Sequence, residues 1–410
     1  MTYKKKIQKA KLINFQKILG NVKHSNAKNN EIYISGGILQ NQILQDTKDF
    51  LIVDAKDCII SPGFIDPQVN GLGKCNFWEK PSFEEINKLR LALASCGVVA
   101  FCPTIITASH EKIINSINHI NSYLKQSNNE PGAKILGIHI EGIFITKYGV
   151  HESKYTNKEL TIKNVEPYIK DNVILFTLAP ELDKNGEAIN FLRKNNILVS
   201  IGHSNATYNE GINAIEKYGL KTVTHMFNSL KGIEGFSHRK HKNKNLNIEL
   251  LRTKLENPKT IDHQKDGIIL ALLKEKQVLT MVISDGIHVD KSVLGLLRNY
   301  KDSGHFALAS DSVSTDFYNL SKSKGLLGGG QNIIDECVEN LINWKVSNIE
   351  DSLSCASKPI ANQLKSVGAC RGMPLLGEIT YGKEVNLVLW DTKKNAVKGT
   401  IIGENIFINY

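Results

Sequence analysis

Val199-Ser-Ile-Gly-His203-Ser204 is a short apolar run that ends in a side chain able to bind a metal or move a proton. Three more segments share the plan: Ile138-His-Ile-Glu141-Gly142, Thr222-Val-Thr-His225-Met-Phe-Asn228 and Ala307-Leu-Ala-Ser-Asp311-Ser312. Parallel strands covered on both faces read as runs of Val, Ile, Leu and Ala. In a barrel of alternating strands and helices the active site lies just past their C-terminal ends, so four such ends spread over about 170 residues predict one shared mouth.

Outward from these segments, strands and helices alternate. Apolar runs begin near Ile65, Val98, Ile135, Ile174, Leu198, Thr222, Val278 and Phe306, and helical periodicity covers Phe83–Ser95, Glu111–Leu124, Gly186–Lys194, Asn209–Tyr218, Lys291–Tyr300 and Gln331–Trp344. Eight strands separated by helices predict a closed barrel rather than an open sheet. Both chain ends read differently. Lys11-Leu-Ile-Asn-Phe15, Glu31-Ile-Tyr-Ile-Ser35 and Phe50-Leu-Ile-Val-Asp54, then Glu384-Val-Asn-Leu-Val-Leu-Trp390 and Gly399-Thr-Ile-Ile-Gly-Glu-Asn-Ile-Phe407, alternate apolar runs with polar turns. The expected fold is a (β/α)8 TIM-like barrel over 61–379, with a small β-sandwich domain built from 1–60 together with 380–410. The interval 231–265 is rich in Lys, Asn and Thr, and no strand is expected there.

Two histidines and a carboxylate are the three-ligand set of a catalytic zinc site, which keeps a fourth position open for water or substrate. A single His or Glu at a strand end is more often solvated. Glu141, His203 and His225 each follow an apolar run directly and have small neighbours (Gly142, Gly202, Ser204, Thr224), which favours a shared metal. Asp311 reaches the same mouth without joining the triplet, placed to take a proton from an activated water and return it to a leaving amine.

Several motifs in one order carry a resemblance: Ser61-Pro-Gly-Phe-Ile-Asp66-Pro-Gln68-Val-Asn70-Gly71, Gly137-Ile-His-Ile-Glu141-Gly142, Leu178-Ala-Pro-Glu181, Gly202-His203-Ser-Asn-Ala206-Thr207, Thr224-His225-Met-Phe-Asn228, Ser284-Asp285-Gly-Ile-His288-Val-Asp290 and Ser310-Asp311. From about residue 55 onward the chain resembles the N-acetylglucosamine-6-phosphate deacetylases of the amidohydrolase superfamily. The resemblance implies one divalent ion, zinc or iron, on Glu141, His203 and His225, with Asp311 as general base and then general acid. It also implies that Asn228 and the Ser229 backbone hold the sugar phosphate of a small-molecule substrate, that His288 reaches the phosphate from the neighbouring subunit of a homodimer, and that His151 touches the sugar.

Three departures from the family pattern stand out. Gln68-Val-Asn70 replaces the His-x-His that many amidohydrolases carry at the first barrel strand, a change that favours a single metal. Gly235-Phe236-Ser237 stands where the family presents an arginine that crosses to the phosphate, and Arg239 lies nearby as a substitute. After Asp311, a small Ala- and Gly-rich stretch is replaced by Ser312-Val-Ser-Thr-Asp-Phe-Tyr-Asn319.

Composition fits this frame. The 410 residues suit a barrel plus one small domain, and the 41% hydrophobic fraction supplies a core. The longest apolar runs, such as Cys96-Gly-Val-Val-Ala-Phe-Cys-Pro103, fall short of the roughly 20 residues a membrane helix needs. The basic N-terminus lacks the apolar core of a secretory signal, and the seven scattered cysteines argue against a disulfide framework, so the chain reads as cytoplasmic. The net charge of +10 is concentrated in the first residues and in Ser237-His-Arg-Lys-His-Lys-Asn-Lys-Asn-Leu246. Neither segment interleaves its charges with aromatic platforms, so no nucleic-acid partner is expected. The expected reaction is hydrolysis of the acetamide of N-acetylglucosamine 6-phosphate to glucosamine 6-phosphate and acetate. Another N-acyl amino sugar or a cyclic amide as substrate, or a non-catalytic barrel kept for binding, remain the alternatives.

Overall fold

The apolar runs become eight parallel strands in a computed structural model that describes residues 2–19, 31–41, 48–126, 130–147, 149–157, 159–233, 244–368 and 376–409. In chain order they are β1 (Phe64–Val69), β2 (Val98–Ile106), β3 (Ile138–Glu141), β4 (Val173–Leu178), β5 (Leu198–Ile201), β6 (Thr222–Val223), β7 (Leu279–Val282) and β8 (Phe306–Leu308). Each pairs with the next in parallel. The ring closes just beyond the last strand. Val69 bridges Ser312 in parallel, Asn70 N donates to the Ser312 carbonyl at 2.9 Å, and Ser310 N donates to Asp66 Oδ1 at 3.2 Å.

Helices fill the connections close to where periodicity places them. Phe83–Ser95 and Lys291–Tyr300 have the expected limits, and the others differ by a few residues: His110–Gln126, Glu187–Lys194 and Ile334–Asn343. The helix after β5 starts at Tyr208 behind a capping box of Thr207 and Glu210, then widens into a π-helix over Asn213–Lys217. The interval 231–265 holds more order than its composition suggests. A helix spans Lys244–Glu256, because Ile248, Leu251 and Leu255 recur on one face and pack on the core.

The chain ends form two further sheets. One has six strands in the order Thr2–Lys6, Asn405–Asn409, Ala396–Ile402, Asn386–Asp391, Cys58–Pro62 and Lys17–Ile18. The other has four: Ile38–Gln40, Ile32–Ser35, Lys9–Ile13 and Leu51–Asp54. Ala10, Leu12, Ile34, Ile60, Leu387, Leu389 and Ile401 share an apolar core between them, the packing of a β-sandwich. Strand Cys58–Pro62 runs on into β1, so the sandwich and the barrel share a continuous length of chain.

Inside the barrel the filling changes along its axis. Ile65, Leu175, Leu198, Leu279 and Met281 belong to an apolar cluster. Directly below the mouth the filling is polar: His139 bonds Thr177 Oγ1 at 2.8 Å and the Pro67 carbonyl at 3.1 Å, and the Thr224 hydroxyl donates to Gln68 Oε1. Among the described residues no helix is long and apolar enough to cross a membrane.

Candidate active site

Each key side chain sits where a strand stops. His203 and His225 stand two residues past β5 and β6, and Asp311 three past β8. All three have left-handed backbone, with φ of 48°, 29° and 49°. Residues other than glycine seldom adopt it, at a cost on the order of 1–3 kcal/mol each, so surrounding bonds must hold them there. They do. Thr146 N and Lys147 N both donate to the His203 carbonyl, and Gly330 N donates to the Asp311 carbonyl at 2.8 Å. The left-handed step ends each extended run and turns its side chain into the mouth.

Glu141, His203 and His225 are buried and bring one donor atom each to within 4.8 Å of the others. Glu141 Oε1 is 2.7 Å from His225 Nε2 and 3.4 Å from His203 Nε2, and the two Nε2 atoms are 3.1 Å apart. His203 donates from Nδ1 to the Lys147 carbonyl at 2.8 Å, which leaves the Nε2 lone pair facing the cluster. Two imidazole nitrogens this close repel unless a proton or a cation lies between them. Burial raises the Glu141 pKa, yet hydrogen bonds from His203 and His225 more than offset this and hold it well below the usual carboxylate range. Burial lowers His225, and Glu141 outweighs that to raise it. Two neutral imidazoles and a carboxylate would suit a divalent ion equally well, so the donor set fits a zinc-type site.

Asp311 lies across from this set. Gln68 Nε2 and Asn70 Nδ2 both donate to its Oδ1, each at 2.7 Å, and Oδ2 is left for other partners. Burial, and next the Glu141 charge, push its pKa up to about 8. A cation at the ligand set would oppose both effects. Gln68 and Asn70, which stand where His-x-His is common, thus fix the Asp311 carboxylate at the mouth.

Around these groups, Asn228, Ser229, His288 and His151 line the same cavity. His288 lines this cavity within its own chain. Its Nδ1 is 2.7 Å from Asp285 Oδ2, and its buried Nε2 has no bonding partner among the described residues. His151 bonds Thr107 Oγ1 at 2.9 Å and packs edge-on to His203. Burial, and next its neighbour His203, lower its pKa to about 3 and keep it neutral. Arg239 lies outside the described residues.

No family model matches the chain. The human N-acetylglucosamine-6-phosphate deacetylase is 31% identical over 418 residues, spanning 92% of this chain and 91% of that protein. The chain belongs to the N-acetylglucosamine-6-phosphate deacetylase family. The crystal structure of the deacetylase from Pasteurella multocida has the same fold, with a TM-score of 0.74 at 22% identity over 97% of this chain and 99% of that one. A mutant of the Mycobacterium smegmatis deacetylase, solved in complex with N-acetyl-D-glucosamine 6-phosphate, has the same fold, with a TM-score of 0.72 at 16% identity over 97% of this chain and 98% of that one.

Some residues that build this family member's site carried no role in the sequence reading. Glu181, in Leu178-Ala-Pro-Glu181, accepts from the Thr146 hydroxyl, from Ser204 Oγ at 2.7 Å and from Asn205 N at 2.8 Å. It clamps the turn that carries His203. Asp285 orients His288, and their three-residue separation was the available signal. For Gln68 and Asn70, an alternate-residue spacing at the end of β1 puts both side chains on one face but does not tell which residue they meet.

Proposed function

We propose that this family member hydrolyses the acetamide of N-acetylglucosamine 6-phosphate, giving glucosamine 6-phosphate and acetate as a metal-dependent amidohydrolase. The observation that carries the reading is the convergence of Glu141, His203 and His225 with Asp311 in one cavity. The human relative's name and its near full-length match support the substrate. Glu141, His203 and His225 would hold one divalent ion, which when bound polarises the carbonyl and eases deprotonation of water. Zinc fits the two-nitrogen, one-oxygen donor set.

Asp311 takes a proton from the attacking water on Oδ2 while the amides of Gln68 and Asn70 hold Oδ1. It then passes that proton to the amide nitrogen as the carbon–nitrogen bond breaks, so acetate and an amine leave. Neutral His151 hydrogen-bonds the substrate beside the ligand set, and Asn228, the Ser229 backbone and His288 hold the phosphate. The barrel over 61–379 carries the chemistry, and 1–60 with 380–410 forms the small β domain. Exposed Ile287, Leu320 and Leu326 flank residues of the cavity wall, and this supports a homodimer whose second copy covers the mouth.

Acetate release from N-acetylglucosamine with and without its 6-phosphate tests the reading. Two charge-assisted bonds at roughly 1.5–3 kcal/mol each favour the phosphorylated sugar by about a hundredfold or more in kcat/KM. Equal values for the two sugars reject the phosphate site and the named substrate.

A further inference from the structure

The cavity has two unlike walls. From β5 round to the segment after β7 it is polar, with His203, His225, Asn228, Ser229 and His288. The rest of the lining carries its apolar side chains, Ile106 at the end of β2, Val150, Val313, Phe317 and Leu327, beside Asn70, Glu141, His151 and Asp311. Two of these, Val313 and Phe317, come from Ser312–Asn319, the stretch that departs from the family's small residues.

Phe317 is braced from behind. Its ring stands edge-on to Trp78, with centroids 5.0 Å apart and planes at 72°, and Trp78 is itself buried. Ser314 caps the helix Thr315–Ser323, its hydroxyl accepting from Phe317 N at 3.2 Å. The flanking loop has no slack. A Cβ on Gly329 would stand 2.5 Å from Val313 Cγ1 and 2.6 Å from the Asp311 carbonyl oxygen, and one on Gly328 would stand 2.9 Å from Val150 Cγ1.

An N-acyl amino sugar has one apolar end, the alkyl part of the acyl group, and its other end carries hydroxyls and charge. With the carbonyl carbon between Asp311 and the ligand set, the two ends point opposite ways. The sugar takes the polar wall and the alkyl group the apolar one. We infer that Phe317, braced by Trp78 and flanked by Val313, sets the acyl length, so that the site takes acetyl and rejects longer chains. This rests on the amino-sugar deacetylase reading above. The reaction with a longer chain is the same hydrolysis: water adds to the carbonyl carbon, the carbon–nitrogen bond breaks, and a carboxylate and an amine are released.

The test compares kcat/KM for the N-acetyl, N-propionyl and N-butyryl forms of glucosamine 6-phosphate in metal-loaded wild type, Phe317→Ala and Phe317→Leu. One methylene that a fitted apolar pocket cannot accept changes kcat/KM by roughly tenfold or more, so the wild type falls by about that factor per added carbon. In Phe317→Ala the butyryl-to-acetyl ratio rises by about tenfold or more, and Phe317→Leu moves it the same way by less. Calorimetric binding of the acetyl and butyryl sugars to Asp311→Asn and to Asp311→Asn with Phe317→Ala reads the same preference without turnover. If Phe317→Ala does not fold, Phe317→Leu decides. A wild type that handles butyryl as well as acetyl overturns the inference, as does an unmoved ratio in variants that still hydrolyse the acetyl sugar. A wild type that hydrolyses none of the three points instead to failure of the deacetylase reading, and the inference falls with it.

Discussion

Replacing Asn70 with leucine takes one donor from the oxygen that anchors the base and little else. The Asn70 Nδ2 bond to Asp311 Oδ1 is 2.7 Å long, Asn70 Oδ1 has no partner to lose among the described residues, and the backbone bond from Asn70 N to Ser312 survives the change. A hydrogen bond to a charged group contributes about 1.5–3 kcal/mol. Because it stabilises the ionised carboxylate, its loss raises the Asp311 pKa by about 1–2 units, at 1.36 kcal/mol per unit. Asp311 must be ionised to accept a proton, so the acidic limb of the kcat/KM profile moves up by that amount. Activity below the limb falls by about 10- to 100-fold and recovers as pH rises. The assay is acetate release from N-acetylglucosamine 6-phosphate across the pH range at saturating metal. A limb that stays in place, or moves to lower pH, refutes the role given to Asn70.

Three further predictions separate ligand, base and scaffold. Asp311→Asn keeps bound metal while kcat falls by about two orders of magnitude or more, and His225→Ala loses metal and turnover together, both read by metal analysis beside steady-state rates; a His225→Ala protein with full metal and full activity removes it from the ligand set. Asp66 is raised from its ordinary 3.8 to about 6, by burial first, with bonds from Ser310 and Gln68 opposing. A folded-state pKa above the unfolded one gives stability that is present below about 4 and lost as pH rises through 6. Asp66→Asn has no such titration, so urea unfolding should shift in the variant's favour by on the order of 2–3 kcal/mol between pH 4 and pH 7. A wild-type-to-variant difference that ignores pH contradicts this.

What the sequence exposed and what it hid follow from the range of the forces involved. The barrel strands were legible because a strand buried on both faces must be apolar throughout, and its end must change character abruptly, as at Gly202-His203 and Thr224-His225. Helix limits such as Phe83–Ser95 were legible because Ser82 and Glu85 form a capping box within four residues. The helix Lys244–Glu256 was not, since its polar residues dilute a periodicity that only packing on the core brings out. The grip of Gln68 and Asn70 on Asp311 joins positions more than 240 residues apart, and no local pattern encodes it. The motif around His288 gives its chemistry and not its direction, which the bond to Asp285 fixes within the chain.

The way the sandwich is stitched from both chain ends sets a schedule for the protein's synthesis. Strand Cys58–Pro62 needs Asn386–Asp391 beside it, and Thr2–Lys6 needs Asn405–Asn409. The partner of Cys58–Pro62 lies about 330 residues downstream, so at about 5–20 residues per second a ribosome takes on the order of 15–65 s to deliver it. For that interval the first strands wait with open edges while the barrel is still being made. The lysines of Thr2–Lys6 are well placed for such a wait, because charge on a bare edge discourages pairing with the wrong chain.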